Sequence, residues 1–298
     1  MTSTRDTTPQ SLFDHWATVR RRLRAARHLA VFLDFDGSLV PLRARPDQVW
    51  LDASGRRLLR RLARHPRVTL VLISGRRLAD LRRRVNVPAA RYLGLHGWEH
   101  RDGHSAQPGT RRLMGVARRM LAERLRGLPG IWIEDKGPVF VAHYRGASLS
   151  TTRRARQIVR ETLEWLEPDL RVLAGRKVWE VMPQELGGKG VAVIRLLKEL
   201  PQPTLSIFIG DDVSDERAFA ALRGELTVRV GRPRRTRAHF RLRNPIEVRS
   251  FLEKLELEMA ARSSVARDNG RPRKGHPTKK KRASATVKRS PQSRLRGA

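Results

Sequence analysis

The sequence contains no cysteine among its 298 residues, and aromatic side chains make up only 5% of it. The absence of cysteine excludes a disulfide scaffold, a cysteine nucleophile and thiolate metal sites, so any metal must bind to oxygen or imidazole ligands. No apolar run approaches the roughly 18 residues that a membrane span needs. The opening MTSTRDTTPQ lacks the basic and then apolar order of a signal peptide. We therefore expect a soluble, cytoplasmic protein with no membrane partner.

Acidic residues are also scarce, because 29 Asp and Glu stand against 63 Lys and Arg, which gives a formal net charge of +34. The segment 262–298 holds thirteen of these cations and one acid, so it contributes +12. Few bulky apolar residues occur in it, which predicts a basic, disordered tail. Such tails bind polyanions without reading a base sequence, and we expect a weak, non-specific nucleic-acid contact through 262–298.

Short β-rich runs alternate with helical stretches, which indicates an α/β fold with a parallel sheet. The predicted strands of that sheet are 29–37, 68–75, 92–97, 205–210 and 226–230. Between 102 and 183 the pattern changes to helix, hairpin, helix and hairpin, which is typical of an inserted α+β layer. We therefore predict an N-terminal helical segment at 1–28, a core made of 29–101 and 184–261, and an insert at 102–183.

Two groups of acids follow predicted strands, where open α/β sheets bind their ligands. Asp34 and Asp36 stand two residues apart after the run LAVFL, and Asp211 and Asp212 follow the strand that ends at Gly210. Carboxylates crowded together are costly without a cation, and Mg²⁺ binds one or two carboxylates together with phosphate oxygens. An Asp-Gly turn and the acidic start of a helix are the alternative interpretations of these segments.

Two further elements suit a phosphate group. Ser74 and Gly75 follow the second predicted strand and open a helix, so a hydroxyl and backbone N–H groups can face an anion. Lys189 follows two glycines at a helix start, where a lysine opposes the helix dipole, and this favours a functional role. Taken together, Asp-x-Asp, Ser, Lys and Asp-Asp in this order predict a site that handles phosphate with a divalent cation.

These residues resemble the four motifs of the haloacid dehalogenase-like superfamily, which occur in the same order. The stretches GLHGWEH, IEDKGPVFVAHYR, KVWEVMP and FIGDDVSDERAF are similar to the trehalose-phosphatase family, and the resemblance covers about 29–257. It implies a Rossmann-like core with a cap, 102–183, that closes over a sugar. It also implies an Mg²⁺-dependent phosphatase whose substrate is trehalose 6-phosphate. Another sugar phosphate, such as sucrose phosphate, is the alternative substrate.

The resemblance implies a role for each acid of the motifs. Asp34 matches a nucleophile that forms an aspartyl-phosphate, and Asp36 matches a general acid that later acts as a base. The implied ligands of Mg²⁺ are Asp34, the backbone carbonyl of Asp36, and Asp211. The residues implied to bind phosphate are Ser74, Gly75 and Lys189. The residues implied to orient Lys189 or metal-bound water are Asp212 and Asp215.

The implied sugar-binding residues are His96, Gly97, Glu134, Lys136, Arg145 and Glu180, and Arg145 and the neighbouring His143 are the weaker candidates. An ordinary exposed face of a hairpin is the alternative for the residues of the cap and weighs most for His143 and Arg145. A core histidine is the alternative for His96. Four positions depart from the family pattern, namely Ser38, Leu95, Asp135 and Met182. The departures leave the implied catalytic residues intact and bear on which sugar is bound.

Overall fold

The computed structural model describes residues 8–43, 45–100, 108–166, 169–175 and 177–268. Its strands, in chain order, are β1 (Gln10–Ser11), β2 (His28–Asp34), β3 (Val68–Ile73), β4 (Arg91–Leu93), β5 (Trp132–Asp135), β6 (Phe140–His143), β7 (Leu170–Gly175), β8 (Val178–Pro183), β9 (Thr204–Gly210), β10 (Leu226–Val230) and β11 (Phe240–Leu242). Its α-helices are α1 (Trp16–Ala25), α2 (Ala53–Arg64), α3 (Leu78–Val85), α4 (Pro108–Arg124), α5 (Leu149–Glu164), α6 (Gly188–Leu197), α7 (Glu216–Ala221) and α8 (Pro245–Asp268).

Seven parallel strands form the main sheet, in the order β1-β11-β10-β9-β2-β3-β4. The two central strands, HLAVFLD and TLSIFIG, are buried along nearly their whole length, as continuous apolar runs in parallel sheets are. Their register pairs Leu33 with Ile209, so both strands end at the same edge of the sheet. The acidic segments that follow them are thereby brought together, as the strand positions predict.

Helices cover both faces of this sheet. One apolar cluster joins α1, α2, α3 and α8 to one face, and a second cluster joins α6 and α7 to the other. These three layers, together with the parallel strand order, are the α/β architecture that the sequence predicts.

A second sheet lies within the predicted insert. Its antiparallel strands have the order β5-β6-β8-β7, and α4 and α5 pack on it through a separate apolar cluster. The helices and hairpins between Pro108 and Pro183 occur in the predicted order. We call this layer the cap and the seven-stranded layer the core.

The structure departs from the sequence predictions at several places. The predicted strand at 92–97 ends at Leu93, because the chain then leaves the sheet in a 3-10 turn, Leu95–Gly97. The N-terminal segment holds a strand, β1, as well as its helix. Helix α8 continues to Asp268, so the start of the predicted disordered tail is helical, and 269–298 lie outside the described residues. In the part of the chain that the structure describes, no helix is long and apolar enough to span a bilayer.

Candidate active site

A cavity of about 360 Å³ lies between the carboxyl edge of the core sheet and the cap sheet. Its walls come from the loops after β2, β3 and β9 and from β5, β6 and β8 of the cap. The cavity brings together thirteen of the residues proposed from the sequence, namely Asp34, Asp36, Ser74, Gly75, His96, Glu134, Lys136, His143, Arg145, Glu180, Lys189, Asp211 and Asp212. Gly97 and Asp215 do not line it.

Lys189 lies at the centre of a buried ionic cluster in the core. Its Nζ donates to Asp34 Oδ1 at 2.7 Å and to Asp215 Oδ1 at 2.6 Å, and all three side chains are buried. Burial by itself lowers the pKa of Lys189, but the two carboxylates outweigh it and raise that pKa above its ordinary value. Lys189 is therefore a permanent cation beside the carboxylate that the family resemblance assigns as nucleophile.

Burial raises the pKa of Asp34 well above its ordinary value, and the charges of Asp215 and Asp211 add to this, whereas Lys189 lowers it. Burial also raises the pKa of Asp211 to about 7, with further contributions from Asp215 and Asp212. The single positive charge of Lys189 thus does not compensate the negative charges of the acids around it. A cation of higher charge would lower the energy of this arrangement.

The same acids have the geometry of a small-cation site. Carboxylate oxygens of Asp34, Asp211 and Asp215 lie within 4.8 Å of one another. Gly37 has a φ of +87°, and a Cβ there would overlap the Asp211 carboxylate, so glycine lets the loop after β2 approach that side chain. Hard carboxylate oxygens suit Mg²⁺. Both oxygens of Asp215 accept hydrogen bonds, Oδ1 from Lys189 and Oδ2 from the backbone N–H of Asp212.

Asp36 is held by an arginine that was not among the predicted site residues. Arg76 donates from Nε to Asp36 Oδ2 and from Nη2 to Asp36 Oδ1, both at 2.6 Å. Its Nη1 also lies 2.9 Å from Asp80 Oδ2. Burial raises the pKa of Asp80, but the hydrogen bonds from Arg84, Arg76 and Arg83 prevail and hold it at about 2. The signal in the sequence was the position of Arg76, directly after Ser74 and Gly75.

Ser74 and Gly75 form the turn after β3. The Ser74 hydroxyl is buried and accepts a hydrogen bond from the Arg76 backbone N–H at 3.2 Å. A Cβ at Gly75 would lie 2.9 Å from two atoms of the His96 ring, so this position needs glycine for the close approach of that ring. The turn therefore places a hydroxyl and the His96 imidazole in the cavity that Asp34 also lines.

His96 joins the core to the cap. Its Nε2 lies 2.6 Å from Oε2 of Glu180 on β8, and both side chains are buried. Lys136 Nζ lies 3.7 Å from Glu180 Oε1 and donates to the Gly75 carbonyl at 3.3 Å. Burial raises the pKa of Glu180, but the charges of His96 and Lys136 and the His96 hydrogen bond hold it at about 2. Leu95 and His96 have φ of 44° and 57°, and such backbone strain often occurs at functional sites.

The remaining proposed sugar contacts divide into two groups. On the cap hairpin, His143 Nε2 lies 2.9 Å from Glu134 Oε2, and the His143 ring stacks on Trp132 with centroids 3.7 Å apart. Arg145 faces the same cavity. Gly97 instead packs against Ala192 of α6, where a Cβ would collide with the Ala192 methyl. Gly97 therefore packs against α6 and does not line the cavity, and its sugar contact stays a prediction.

A model of the trehalose-phosphatase family matches residues 32–251 of this chain. The chain belongs to the trehalose-phosphatase family. It is 33% identical over 249 residues to a trehalose-phosphate phosphatase of Mycobacterium tuberculosis, an alignment that covers 78% of this chain and 63% of the relative. The chain thus spans less than two thirds of that relative's length. The family identified from the sequence motifs is confirmed, and it is a family of phosphoric monoester hydrolases.

Solved structures agree on the fold. The C-terminal domain of C. albicans trehalose-6-phosphate phosphatase is similar with a TM-score of 0.73 at 23% identity, covering 86% of this chain and 99% of that one. A haloacid dehalogenase-like hydrolase from Bacteroides thetaiotaomicron is similar with a TM-score of 0.55 at 14% identity, covering 77% and 98%. The predicted fold, an α/β core with a parallel sheet and an inserted α+β cap, is thereby confirmed.

The departures from the family pattern have structural explanations. Leu95 and Met182 belong to one small apolar cluster at the base of the cap, and neither lines the cavity. Asp135 forms an ion pair with Arg118 of α4 and accepts the Gly137 N–H at 2.8 Å, so its charge is compensated within the cap. Ser38 keeps a hydroxyl, which donates to Asp211 Oδ1 at 3.3 Å.

Proposed function

We propose that this chain hydrolyses trehalose 6-phosphate to trehalose and phosphate, with Mg²⁺ bound and through a phosphoester of Asp34. The observation that carries the proposal is the buried cluster of Lys189, Asp34 and Asp215 beside Asp211, in a chain of the trehalose-phosphatase family. The cluster combines a nucleophilic carboxylate, a fixed cation and acids suited to a divalent ion at the mouth of a capped cavity.

In the first step, an Asp34 carboxylate oxygen attacks the phosphorus atom, and the bond from phosphorus to the sugar oxygen breaks. Lys189 holds Asp34 Oδ1 and so orients the carboxylate for the attack. Asp36 gives its proton to the departing sugar oxygen. Ser74 and Lys189 contribute a hydroxyl and a positive charge for the phosphate oxygens.

In the second step, Asp36 takes a proton from water, and the water oxygen attacks the same phosphorus atom. The bond between phosphorus and Asp34 breaks, which releases phosphate and restores the carboxylate. Arg76 donates to both oxygens of Asp36 in this structure, so one of these two hydrogen bonds must open before Asp36 can carry or accept the proton. The remaining hydrogen bond orients the carboxylate, which makes Arg76 a positioning residue.

The metal-binding residues in this proposal are Asp34, the Asp36 backbone carbonyl and Asp211, and Asp212 and Asp215 orient the cluster around them. The bound ion would reduce the repulsion between the anionic nucleophile and the anionic phosphate group. The raised pKa of Asp211, about 7, supports this assignment because a cation compensates the crowding that causes it.

The cap supplies the sugar contacts in this proposal. Glu134, Lys136, Arg145 and Glu180 present acceptors and donors to the cavity, as recognition of a neutral disaccharide requires. Glu180 and His96 are in contact in this structure, so the sugar must share or replace that contact. A trehalose substrate is favoured over another sugar phosphate because the departures at Leu95 and Met182 lie outside the cavity. A cytoplasmic location stays a prediction from the sequence.

The decisive experiment measures phosphate release from a panel of sugar phosphates with the full chain. Trehalose 6-phosphate, sucrose 6-phosphate and glucose 6-phosphate are compared with Mg²⁺ and with EDTA. We expect kcat/KM to be highest for trehalose 6-phosphate and activity to disappear in EDTA and return with Mg²⁺. Equal activity on all three would refute the substrate, and full activity in EDTA would refute the metal requirement.

A further inference from the structure

A second cavity, of about 660 Å³, adjoins the one described above and shares Asp211 and Asp212 with it. The loop between β10 and β11 and the start of α8 form much of its wall. Its charged lining residues are Arg229, Arg232, Arg234, Arg243, Asp211 and Asp212. We call it the arginine cavity.

Arg229 is a buried cation with too few partners. It lies in β10 and is 5% exposed, and its Nε and Nη1 are buried with no hydrogen-bond partner among the described residues. Glu216 Oε1 is 3.9 Å from Nη1, but Glu216 already accepts hydrogen bonds from Thr236 and from the Arg237 backbone. A buried guanidinium that lacks acceptors is costly, so Arg229 has a strong requirement for an anion or another acceptor.

The neighbouring arginines increase this requirement. Arg232 and Arg234 are exposed, and neither pairs with an acid in the described part of the chain. Burial and then the charge of Arg234 lower the pKa of Arg229, against the opposite effects of Glu216 and Asp211. Both guanidinium groups line the cavity, so an anion bound there would offset the positive charge of both.

Helix α8 adds a weaker contribution. Asn244 and Pro245, where the helix begins, line the arginine cavity, so the positive end of the helix dipole lies at its wall. Arg243 also lines it but forms an ion pair with Glu247 of the first helical turn. Glu247 offsets part of the dipole, and we therefore place the main attraction at Arg229 and Arg234.

We propose that the arginine cavity is a second, non-catalytic site for a free tetrahedral oxyanion of the inorganic phosphate type. Such an anion would offset the uncompensated charge of Arg229 and would bind beside Arg229 and Arg234, which both line the cavity. Guanidinium groups bind phosphate oxygens in pairs of hydrogen bonds, which suits this geometry. Asp211 and Asp212 repel an anion, which keeps it on the arginine side of the cavity. The site does not depend on the proposed catalytic activity, although that activity would release such an anion nearby.

The first test locates the anion. Crystals of the full chain are soaked in tungstate, and anomalous peaks are sought in the native protein and in Arg234→Gln. We expect a peak beside Arg229 and Arg234 in the native protein that Arg234→Gln lacks. A peak confined to the cavity around Lys189, or no peak near Arg229, would overturn the proposal.

The second test measures affinity by equilibrium dialysis of the full chain against radiolabelled inorganic phosphate at low ionic strength. Arg235→Gln is the matched control, because Arg235 is an exposed arginine of the same loop that does not line the cavity. We expect binding to this site to weaken about tenfold in Arg234→Gln and to be unchanged in Arg235→Gln. Arg229→Met should abolish phosphate binding to this site. If that variant does not fold, the comparison of Arg234→Gln with Arg235→Gln still tests the proposal. Equal binding by these two variants would disprove the site.

Discussion

Arg76 donates a hydrogen bond to each oxygen of the Asp36 carboxylate, with two N–O distances of 2.6 Å. The guanidinium is itself fixed by Asp80, which is held ionised by three arginines. The orientation of Asp36, the proposed acid and base of the reaction, is thus set by an ionic network in the core. A carboxylate that must protonate a leaving group depends on such positioning.

We predict that Arg76→Lys lowers kcat about tenfold or more and changes KM little, because a lysine cannot hold both oxygens of Asp36. Arg83→Lys is the control, since Arg83 contacts Asp80 but not Asp36. Steady-state kinetics on trehalose 6-phosphate and thermal unfolding of both variants are the measurements. A loss of stability without a loss of kcat would show that the network serves folding only.

We predict that Asp34→Asn reduces turnover below about a thousandth of the native value while the protein stays folded, because an amide oxygen is a poor nucleophile. The amide can still accept from Lys189, and the substitution removes a negative charge next to Asp211 and Asp215. Asp47→Asn, at an exposed acid outside the cavity, is the control. Activity near the native level in Asp34→Asn would refute the proposed nucleophile.

We predict that Lys189→Met lowers the free energy of unfolding by about 3–5 kcal/mol, because it leaves Asp34 and Asp215 buried without their cation. Lys198→Met, at the exposed end of the same helix, should change it by less than about 0.5 kcal/mol. Denaturant unfolding measures both. Adding Asp215→Asn to Lys189→Met should restore part of the loss, and no restoration would contradict the pairing.

We predict that Glu180 contributes to the free energy of unfolding and that this contribution is lost in acid. Its pKa in the folded protein, about 2, is below the ordinary 4.5, so its stabilisation is present above pH 4.5 and is lost as the pH falls toward 2. The pKa shift of Glu180 corresponds to a contribution of about 3 kcal/mol to the free energy of unfolding. Urea unfolding at pH 5 and pH 3 should show a smaller difference for Glu180→Gln than for the native protein. Identical pH dependence in the two proteins would rule out this contribution.

We predict that deletion of 269–298 leaves phosphatase activity within about twofold of the full chain and abolishes retention on polyanions at low salt. The deleted segment carries eleven Lys and Arg and no acid, and binding by such a segment weakens steeply as salt increases. The cut follows Asp268 so that helix α8 is kept whole. Heparin chromatography and a phosphate assay test the two halves of the prediction, and a collapse of turnover would assign the segment to the enzyme.

The sequence predicts β2, β3 and β9 well because each is a largely apolar run of six or seven residues. The two strands it missed, β1 and β11, have two and three residues, and such short segments carry no period-two pattern. Pairing with the rest of the sheet, as in the contact of Gln10 with Phe240, makes them strands. The turn at Leu95–Gly97 was missed for a similar reason, since its positive φ angles serve a contact with the distant Glu180.

The amino-acid sequence by itself determined the family, the order of the elements and the acids at the strand ends, because these follow from local patterns. Tertiary structure alone decided which acid has which partner. Lys189 of α6 donates to Asp34 and Asp215, and Arg76 donates to Asp36. Each of these contacts joins segments that are far apart in the chain. Charge interactions depend on distance and burial, which a linear sequence does not contain. The same reason separates Arg229, which is buried, from Arg232 and Arg234, which are exposed.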